Sequence, residues 1–280
     1  MENSLKKKFH IFVLPTLLAF LIAFIIPFVL GIYLSFTEFT TVNDAKFIGV
    51  SNYINAFKNR DFLNALWFTV RFTIVSVITI NVLAFALALL LTRKVKGTNV
   101  FRTVFFMPNL IGGIVLGYIW QIILNGILMR FGVTLTYSAT YGFWGLVVLM
   151  NWQMIGYMMV IYIAGIQNIP KSLIEASKID GATYFTTLRK IIVPMVMPAV
   201  TICTFLTLSN SFKLFDQNLA LTAGAPGKES QMLALDIYNT FYGSVGWEGV
   251  GQAKAVIFAI ILASLGMTQL YFTRRKEIDN

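Results

Sequence analysis

Pro170-Lys171-Ser172-Leu173-Ile174-Glu175-Ala176-Ser177-Lys178-Ile179-Asp180-Gly181 is a polar stretch set between long apolar ones, and its reading decides the kind of chain that carries it. Ser172 and Glu175 stand at capping-box spacing, in which two side chains satisfy helix-start donors reciprocally, so a helix is expected to begin there. Gly181 is placed to stop it, because glycine readily takes the left-handed conformation that ends helices. The result is a helix of about two turns, then a second stretch over 182–192 that reaches Pro194 and Pro198. Two short helices with a glycine joint make a compact protrusion. Taken singly, each part has a plain structural reading: Glu175 caps its helix, Gly181 ends it, and Pro194 begins the next element.

What flanks this protrusion is apolar. Of 280 residues, 57% are hydrophobic and only 12% are charged, far from the average of a water-soluble domain. A water-soluble fold of this size has no interior large enough for so much apolar surface, and the alternative solvent is lipid, where a helix needs roughly 20 apolar residues to cross. Six stretches meet that length: 11–36, 62–92, 104–124, 141–167, 196–215 and 253–272. The expected fold is therefore an all-α integral membrane protein of six transmembrane helices. Residues 1–62 form an N-terminal helix with an outer segment, and 63–280 form a five-helix core that includes the protruding segment 168–198. The first apolar run follows Lys6, Lys7 and Lys8 as a secretory signal does. It lacks a small-residue cleavage site and is too long, so a retained membrane helix is expected.

The formal charge of +10 has a revealing distribution. Fourteen of the 22 Lys and Arg fall in four places: Lys6, Lys7 and Lys8; Arg93, Lys94, Lys96 and Arg102; Lys171, Lys178, Arg189 and Lys190; Arg274, Arg275 and Lys276. These are every second connection, counting both termini. Basic loops stay cytoplasmic, so both ends of a multi-pass membrane protein are expected on the cytoplasmic side. The same regions hold five acids, Glu2, Glu175, Asp180, Glu277 and Asp279, which leaves +9 of the charge on one side. A nucleic-acid partner is not expected, because the charges are split among loops instead of forming one stripe.

Cys203 is the single cysteine and His10 the single histidine. No disulfide forms within the chain, and a Cys/His metal site is excluded. There is no GxxxxGK[ST] run, so any ATP and magnesium belong to a partner and no cofactor is expected on this chain. An intramembrane enzyme would show an HExxH pair or a Ser/His dyad, and an ion-coupled carrier would bury carboxylates at mid-membrane; neither signature is present.

Segment 37–61 carries charges of both signs and a Gly49-Val50-Ser51-Asn52-Tyr53 turn, as expected of a surface lying on the membrane. Arg71, inside the second helix, either snorkels outward or faces a polar interior. Gly112, Gly113 and Gly117 permit close helix contact in the third. The outer connection 218–252 contains Ala223-Gly224-Ala225-Pro226-Gly227, a turn-rich loop, then a short helix over 233–241.

Glu175-Ala176-Ser177, then Asp180-Gly181-Ala182, then Ile191 and Pro194 closely resemble the EAA motif of binding-protein-dependent ABC importer permeases. Ser177 stands where a second alanine is usual, Leu188 where phenylalanine is common and Val193 where leucine is common, all conservative in size. The resemblance implies the type I ABC importer permease fold, with a coupling helix between helices four and five that docks in a cleft of the ATPase subunit. Glu175, Ala176, Ser177, Asp180, Gly181 and Ala182 are the coupling residues it implies. Phe47-Ile48-Gly49 with Asn52-Tyr53, Gln167-Asn168-Ile169-Pro170, and Phe212-Lys213-Leu214-Phe215-Asp216 before Leu221-Thr222 look like the sugar-importer branch that includes maltose and glycerol-phosphate permeases. By that resemblance the chain is the first of two paired permeases. Its partners are a second homologous permease, two ATPase subunits and an external sugar-binding protein. A permease for another solute, glycerol-phosphate-like, is the alternative.

Polar side chains inside spans are costly in lipid and tend to face the interior or a watery path. Asn81, Gln121, Asn151, Gln153, Tyr157, Asn210, Lys213, Asp216 and Gln217 are such residues, and interhelical hydrogen bonding is expected to account for about half of them. A sugar is held by an aromatic ring against its apolar face and amides against its hydroxyls, which makes Trp152, Tyr157, Asn210 and Phe212 an apt set, with Asn151 and Gln153 beside them. By resemblance to maltose-type permeases, whose fourth and fifth helices line the sugar site, Tyr157 and Asn210 come first. Lys213 and Asp216, three apart, are expected to pair on one helical face.

Overall fold

The computed structural model describes residues 9–93 and 96–274, apart from the side chains of 9–12 and 274. Several charges of the alternation lie outside the described residues: Lys6, Lys7, Lys8, Lys94, Arg275, Lys276, Glu2, Glu277 and Asp279, with the side chains of His10 and Arg274.

The chain opens with α1 (Val13–Leu34), an apolar helix none of whose span is buried within the chain. It contains a wide π turn at Leu21–Ile25 directly before Pro27, where the Ile26 N–H reaches back to the Leu21 carbonyl; proline has no N–H to continue the ordinary ladder, and the wide turn absorbs the gap. A ribbon of β1 (Thr37–Glu38) and β2 (Lys46–Phe47) follows, antiparallel with Thr37 opposite Phe47. Between its strands the Asp44 carboxylate accepts from the N–H groups of Thr41 and Thr40, which holds its carboxyl below the usual range. Then come α2 (Ser51–Lys58) and the long α3 (Arg60–Leu91).

Beyond α3 the order is α4 (Thr98–Phe106), α5 (Gly113–Leu128), α6 (Ala139–Gln167), α7 (Lys171–Ile179), α8 (Tyr184–Met195), α9 (Met197–Phe212), α10 (Asp216–Leu221), α11 (Leu233–Gly243) and α12 (Glu248–Arg274). Among the described residues, five helices are long and apolar enough to cross a membrane, namely Val13–Leu34, Arg60–Leu91, Gly113–Phe131, Ala139–Gln167 and Glu248–Thr273. The pair α8 and α9, bent by 68°, is the sixth when counted as one span. The bend lies at Val196, two residues before Pro198, which has no N–H to donate to the Pro194 carbonyl.

Three span expectations shift, the sixth in its start, at Glu248 instead of residue 253. The third span is not 104–124: Pro108 sits in a 3-10 turn (Met107–Leu110), Ile111 is extended, and the crossing helix starts only at Gly113. A proline donor gap followed by extended backbone cuts the apolar run, so Val104 to Phe106 belong to α4. The fifth span, expected at 196–215, has its helix end at Phe212, with Lys213 closing it. The short helix expected over 233–241 forms as Leu233–Gly243.

The chain divides into two compact units. One joins Met1–Phe62, described from residue 9, to Ile237–Ala259. Within it the buried Asn52 donates to the carbonyls of Ser35 (3.0 Å) and Thr37 (2.8 Å), tying α2 to the ribbon. Tyr53 and Ser35 hydroxyls lie 2.7 Å apart. Lys254 is fully buried there, its ammonium donating to Thr240 at 2.8 Å and standing 5.2 Å from the centre of the Phe62 ring.

The other unit comprises Leu63–Asp236 and Ile260–Asn280, described to residue 274. Its centre is α6, 61% of whose span is buried. The Tyr162 hydroxyl donates to Asn81 Oδ1 at 2.7 Å, and Asn81 Nδ2 reaches Thr207 at 3.3 Å, so one amide links α3, α6 and α9. Gln121 on α5 donates to the Leu221 carbonyl of α10 at 2.9 Å. These bonds give Asn81 and Gln121 the interhelical role, which in lipid supplements packing because no hydrophobic force separates helix from solvent. Gly117 of α5 lets α10 approach so closely that an added Cβ would stand 2.5 Å from the Ala220 methyl. Gly113 meets Asp216 the same way, while Gly112 faces open space. Arg71 is exposed and leans toward the outer end of α3, its guanidinium 5.7 Å from the Trp67 ring centre.

Candidate functional site

Two places gather the chemistry: the protruding α7 and a polar cavity between α6, α9 and α10. α7 begins two residues earlier than its capping-box spacing implies. Pro170, not Ser172, holds the N-cap position, with φ −57° and ψ 127°, and no side chain caps the helix. Proline fixes a φ compatible with the boundary, and once Lys171 is helical Ser172 no longer has the extended backbone that a capping side chain needs. The expected capping box is therefore absent, and Glu175 is exposed to solvent.

The other end follows the expectation. Gly181 takes φ +73°, its N–H bonds the Lys178 carbonyl at 3.1 Å, and the Ala182 N–H bonds the Ser177 carbonyl at 2.9 Å. This is the paired closure of a Schellman motif, which satisfies two of the last carbonyls and turns the chain sharply. Thr183 then caps α8, accepting from the Thr186 N–H at 3.3 Å.

Of the motif residues, Glu175, Ala176, Asp180 and Gly181 are exposed, Ala182 is half-buried, and Ser177 is buried. Ser177 donates to the Ile174 carbonyl at 2.8 Å and lies 3.1 Å from the hydroxyl of Thr187, itself buried on α8. Sequence reading missed Thr187. Nothing in its local pattern marks it, since the contact exists only after the Gly181 turn folds α8 back. Ile174 packs into the core, while Ile179 is 87% exposed, and Leu173 and Phe185 also face outward. An apolar tip of this kind, rimmed by Lys171, Lys178, Arg189 and Lys190, has the make-up of a docking surface.

The cavity encloses about 530 Å³. Met150, Gln153, Met154 and Tyr157 line it from α6, at the i, i+3, i+4, i+7 spacing of one helical face. Asn210 and Lys213 line it from the end of α9, Asp216 and Gln217 from α10, and Asn109 from the 3-10 turn before α5. Gln217 donates to the Gln153 side-chain oxygen at 2.8 Å, and Gln153 in turn donates to the Ile111 carbonyl at 3.3 Å, closing one wall. The Tyr157 ring meets Phe106 edge-on at 6.2 Å.

Tyr157, Asn210 and Gln153 thus come together. Trp152, Asn151 and Phe212 do not join them. Trp152 is exposed on another face of α6, edge-on to Trp120 at 5.7 Å; Asn151 donates to the Val147 carbonyl of its own helix at 2.8 Å; Phe212 is fully buried. Lys213 and Asp216 do not pair on one helical face, because Lys213 closes α9 and Asp216 opens α10. Among the described residues no cluster of three His, Cys, Asp or Glu side chains is able to hold a metal ion.

Comparison with known proteins adds the family. Residues 88–277 match the family described as binding-protein-dependent transport system inner membrane component. The chain is 46% identical over 278 residues to the probable starch degradation products transport system permease protein AmyD of Thermoanaerobacterium thermosulfurigenes, covering 96% of this chain and 94% of that one. It is 28% identical to the trehalose/maltose transport system permease protein MalF of Thermococcus litoralis, over 83% of this chain and 82% of the relative. Among solved structures it is similar to a chain of a bacterial ABC transporter involved in the import of the acidic polysaccharide alginate, with a TM-score of 0.84 and 18% identity, covering 99% of both chains.

Proposed function

Because this chain belongs to the family of binding-protein-dependent transport system inner membrane components, we propose that it is a channel-forming subunit of an ATP-driven importer for a sugar or oligosaccharide. The observation that carries the proposal is α7: a short, stiff helix closed at Gly181, fastened to α8 through Ser177 and Thr187, and exposing Glu175, Ala176 and Ile179. Such a helix moves as a unit, where a flexible loop would absorb the stroke.

In this reading α7 seats in one of two ATPase subunits, which bind the ATP and magnesium; this chain binds neither and takes no part in hydrolysis. A second permease completes the pathway, and an external binding protein delivers the sugar. Both termini and α7 face the cytoplasm, in line with the basic residues Arg93, Lys96, Arg102, Lys171, Lys178, Arg189 and Lys190.

The connectivity suggests how force reaches the substrate. α7 is joined on one side to α6, which carries Tyr157 and Gln153, and on the other through α8 to α9, which carries Asn210. A displacement of α7 therefore acts on two walls of one cavity. ATP binding drives import when the ATPase pair makes better contacts with α7 in one transporter conformation than in the other. The amides of Asn109, Gln153, Asn210 and Gln217 with the Tyr157 ring give the cavity the polar and aromatic groups a sugar needs, and the names of both relatives concern sugars.

The test is reconstitution of the chain with its second permease, ATPase and binding protein in vesicles, with labelled maltodextrin outside. Uptake that requires both ATP and the binding protein supports the proposal. Maltodextrin uptake driven by an ion gradient without ATP would contradict it.

A further inference from the structure

A second cavity, of about 460 Å³, lies between α3 and α6 and plays no part in the pathway described above. Phe68, Ile74, Phe143 and Trp144 make it apolar, and Arg71 and Thr140 supply its polar atoms. Its depth follows from helix geometry. The hydrocarbon layer accepts about 20 helical residues at 1.5 Å each. Counted back from Leu91, where α3 ends just before Arg93, that reach stops at Arg71.

Two further features mark the same level. Trp67 and Trp144 are 60% and 54% exposed, as expected of rings at the boundary between hydrocarbon and headgroups. The Arg71 side chain is exposed there too, leaning on Trp67. A guanidinium at headgroup depth thus stands over an apolar recess that extends toward the hydrocarbon.

We propose that this cavity is a binding site for one anionic phospholipid of the surrounding bilayer, its phosphate on Arg71 and the upper part of an acyl chain against Ile74, Val75 and Phe143. The planar guanidinium fork matches phosphate oxygens two at a time. The layering of one cation above an apolar floor matches a headgroup above a chain. An apolar helix of another subunit would instead cover the charge without supplying a counter-ion, at the cost of its desolvation. The inference rests on the membrane-spanning assignment of α3 and α6 and not on what the transporter carries.

The test uses the assembled transporter in nanodiscs of phosphatidylcholine, with and without phosphatidylglycerol. Native mass spectrometry counts retained lipids, and phosphatidylglycerol brominated on its acyl chains reads proximity by quenching tryptophan fluorescence. The wild type should retain phosphatidylglycerol over phosphatidylcholine. Arg71→Gln should lower that preference about fivefold, the equivalent of about 1 kcal/mol per basic residue at the membrane surface. Arg71→Lys, which keeps the charge, should restore most of it, and Trp144→Phe should remove part of the quenching. Equal lipid preference in the wild type and Arg71→Gln would overturn the site, as would efficient cross-linking of a cysteine at Thr140 to the second permease, which would show protein in the recess.

Discussion

The hydroxyl groups of Ser177 and Thr187 lie 3.1 Å apart, both buried, and join α7 to α8 across the Gly181 turn. Ser177 commits its own proton to the Ile174 carbonyl at 2.8 Å, so Thr187 is the donor in the pair. That order sets unequal costs. Thr187→Val removes donor and bond together and should destabilise by about 0.5–1.5 kcal/mol, whereas Ser177→Ala strands a buried hydroxyl and should cost about 1–3 kcal/mol. The double variant should recover part of the loss, and thermal unfolding of the purified complex for all four proteins reads the coupling. Additive effects would mean that the two hydroxyls do not act as a pair.

Gly181→Ala forces a Cβ into φ +73°, a conformation that costs an ordinary residue about 1–2 kcal/mol. The change lies in the turn that aims α7, so its mark should be mechanical. Sugar uptake per ATP hydrolysed is expected to fall while membrane insertion is kept. An unchanged ratio of uptake to hydrolysis would show that the turn is not part of the transmission.

Tyr162→Phe removes the 2.7 Å bond to Asn81 and leaves the rest of the ring in place. Interhelical bonds of this kind average about 0.6 kcal/mol and reach about 1.7 kcal/mol. Unfolding in mild detergent should show a loss in that range, with transport kinetics unchanged. A change in the sugar dependence of uptake would instead connect this network to the cavity.

Tyr157→Ala should raise the sugar concentration for half-maximal uptake roughly two- to tenfold, the worth of an aromatic contact of about 0.5–1.5 kcal/mol, with assembly intact. Trp152→Ala is the matched control, since its ring lies on another face of α6 and meets Trp120 edge-on. Equal effects of the two changes would remove Tyr157 from the substrate path.

How much of this was legible in the sequence depended on how local the cause was. The long apolar runs and the Gly181 stop are local, and the first, second and fourth spans and the stop appear within two residues of where the pattern puts them. The third span shifted because Pro108 and the extended Ile111 interrupt a run whose hydropathy alone reads as continuous. The capping box failed because Pro170 took the helix boundary that Ser172 was expected to hold. In the cavity, Gln153 and Tyr157 share a helical phase with Met150 and Met154, and that phase was readable. Trp152 and Asn151 have the chemistry of a sugar site but lie off that phase. Thr187, Asn109 and the Gln153–Gln217 bond depend on the chain folding back on itself, which no single-sequence pattern records.

If α7 seats in a separate energy-supplying subunit, a cysteine placed at Ile179, 87% exposed at the tip, lies within reach of that subunit. The single native cysteine of this chain, Cys203, is buried, so a short cross-linker, thiol-reactive at one end and photoreactive at the other, attaches to this chain at the new position and needs no cysteine on its neighbour. A cross-link from residue 179 to the ATPase subunit is expected, lost in a Glu175→Lys background along with transport while the chain still inserts. Labelling of residue 179 by a lipid-soluble reagent with no ATPase cross-link, or full uptake by the Glu175→Lys transporter, would contradict it.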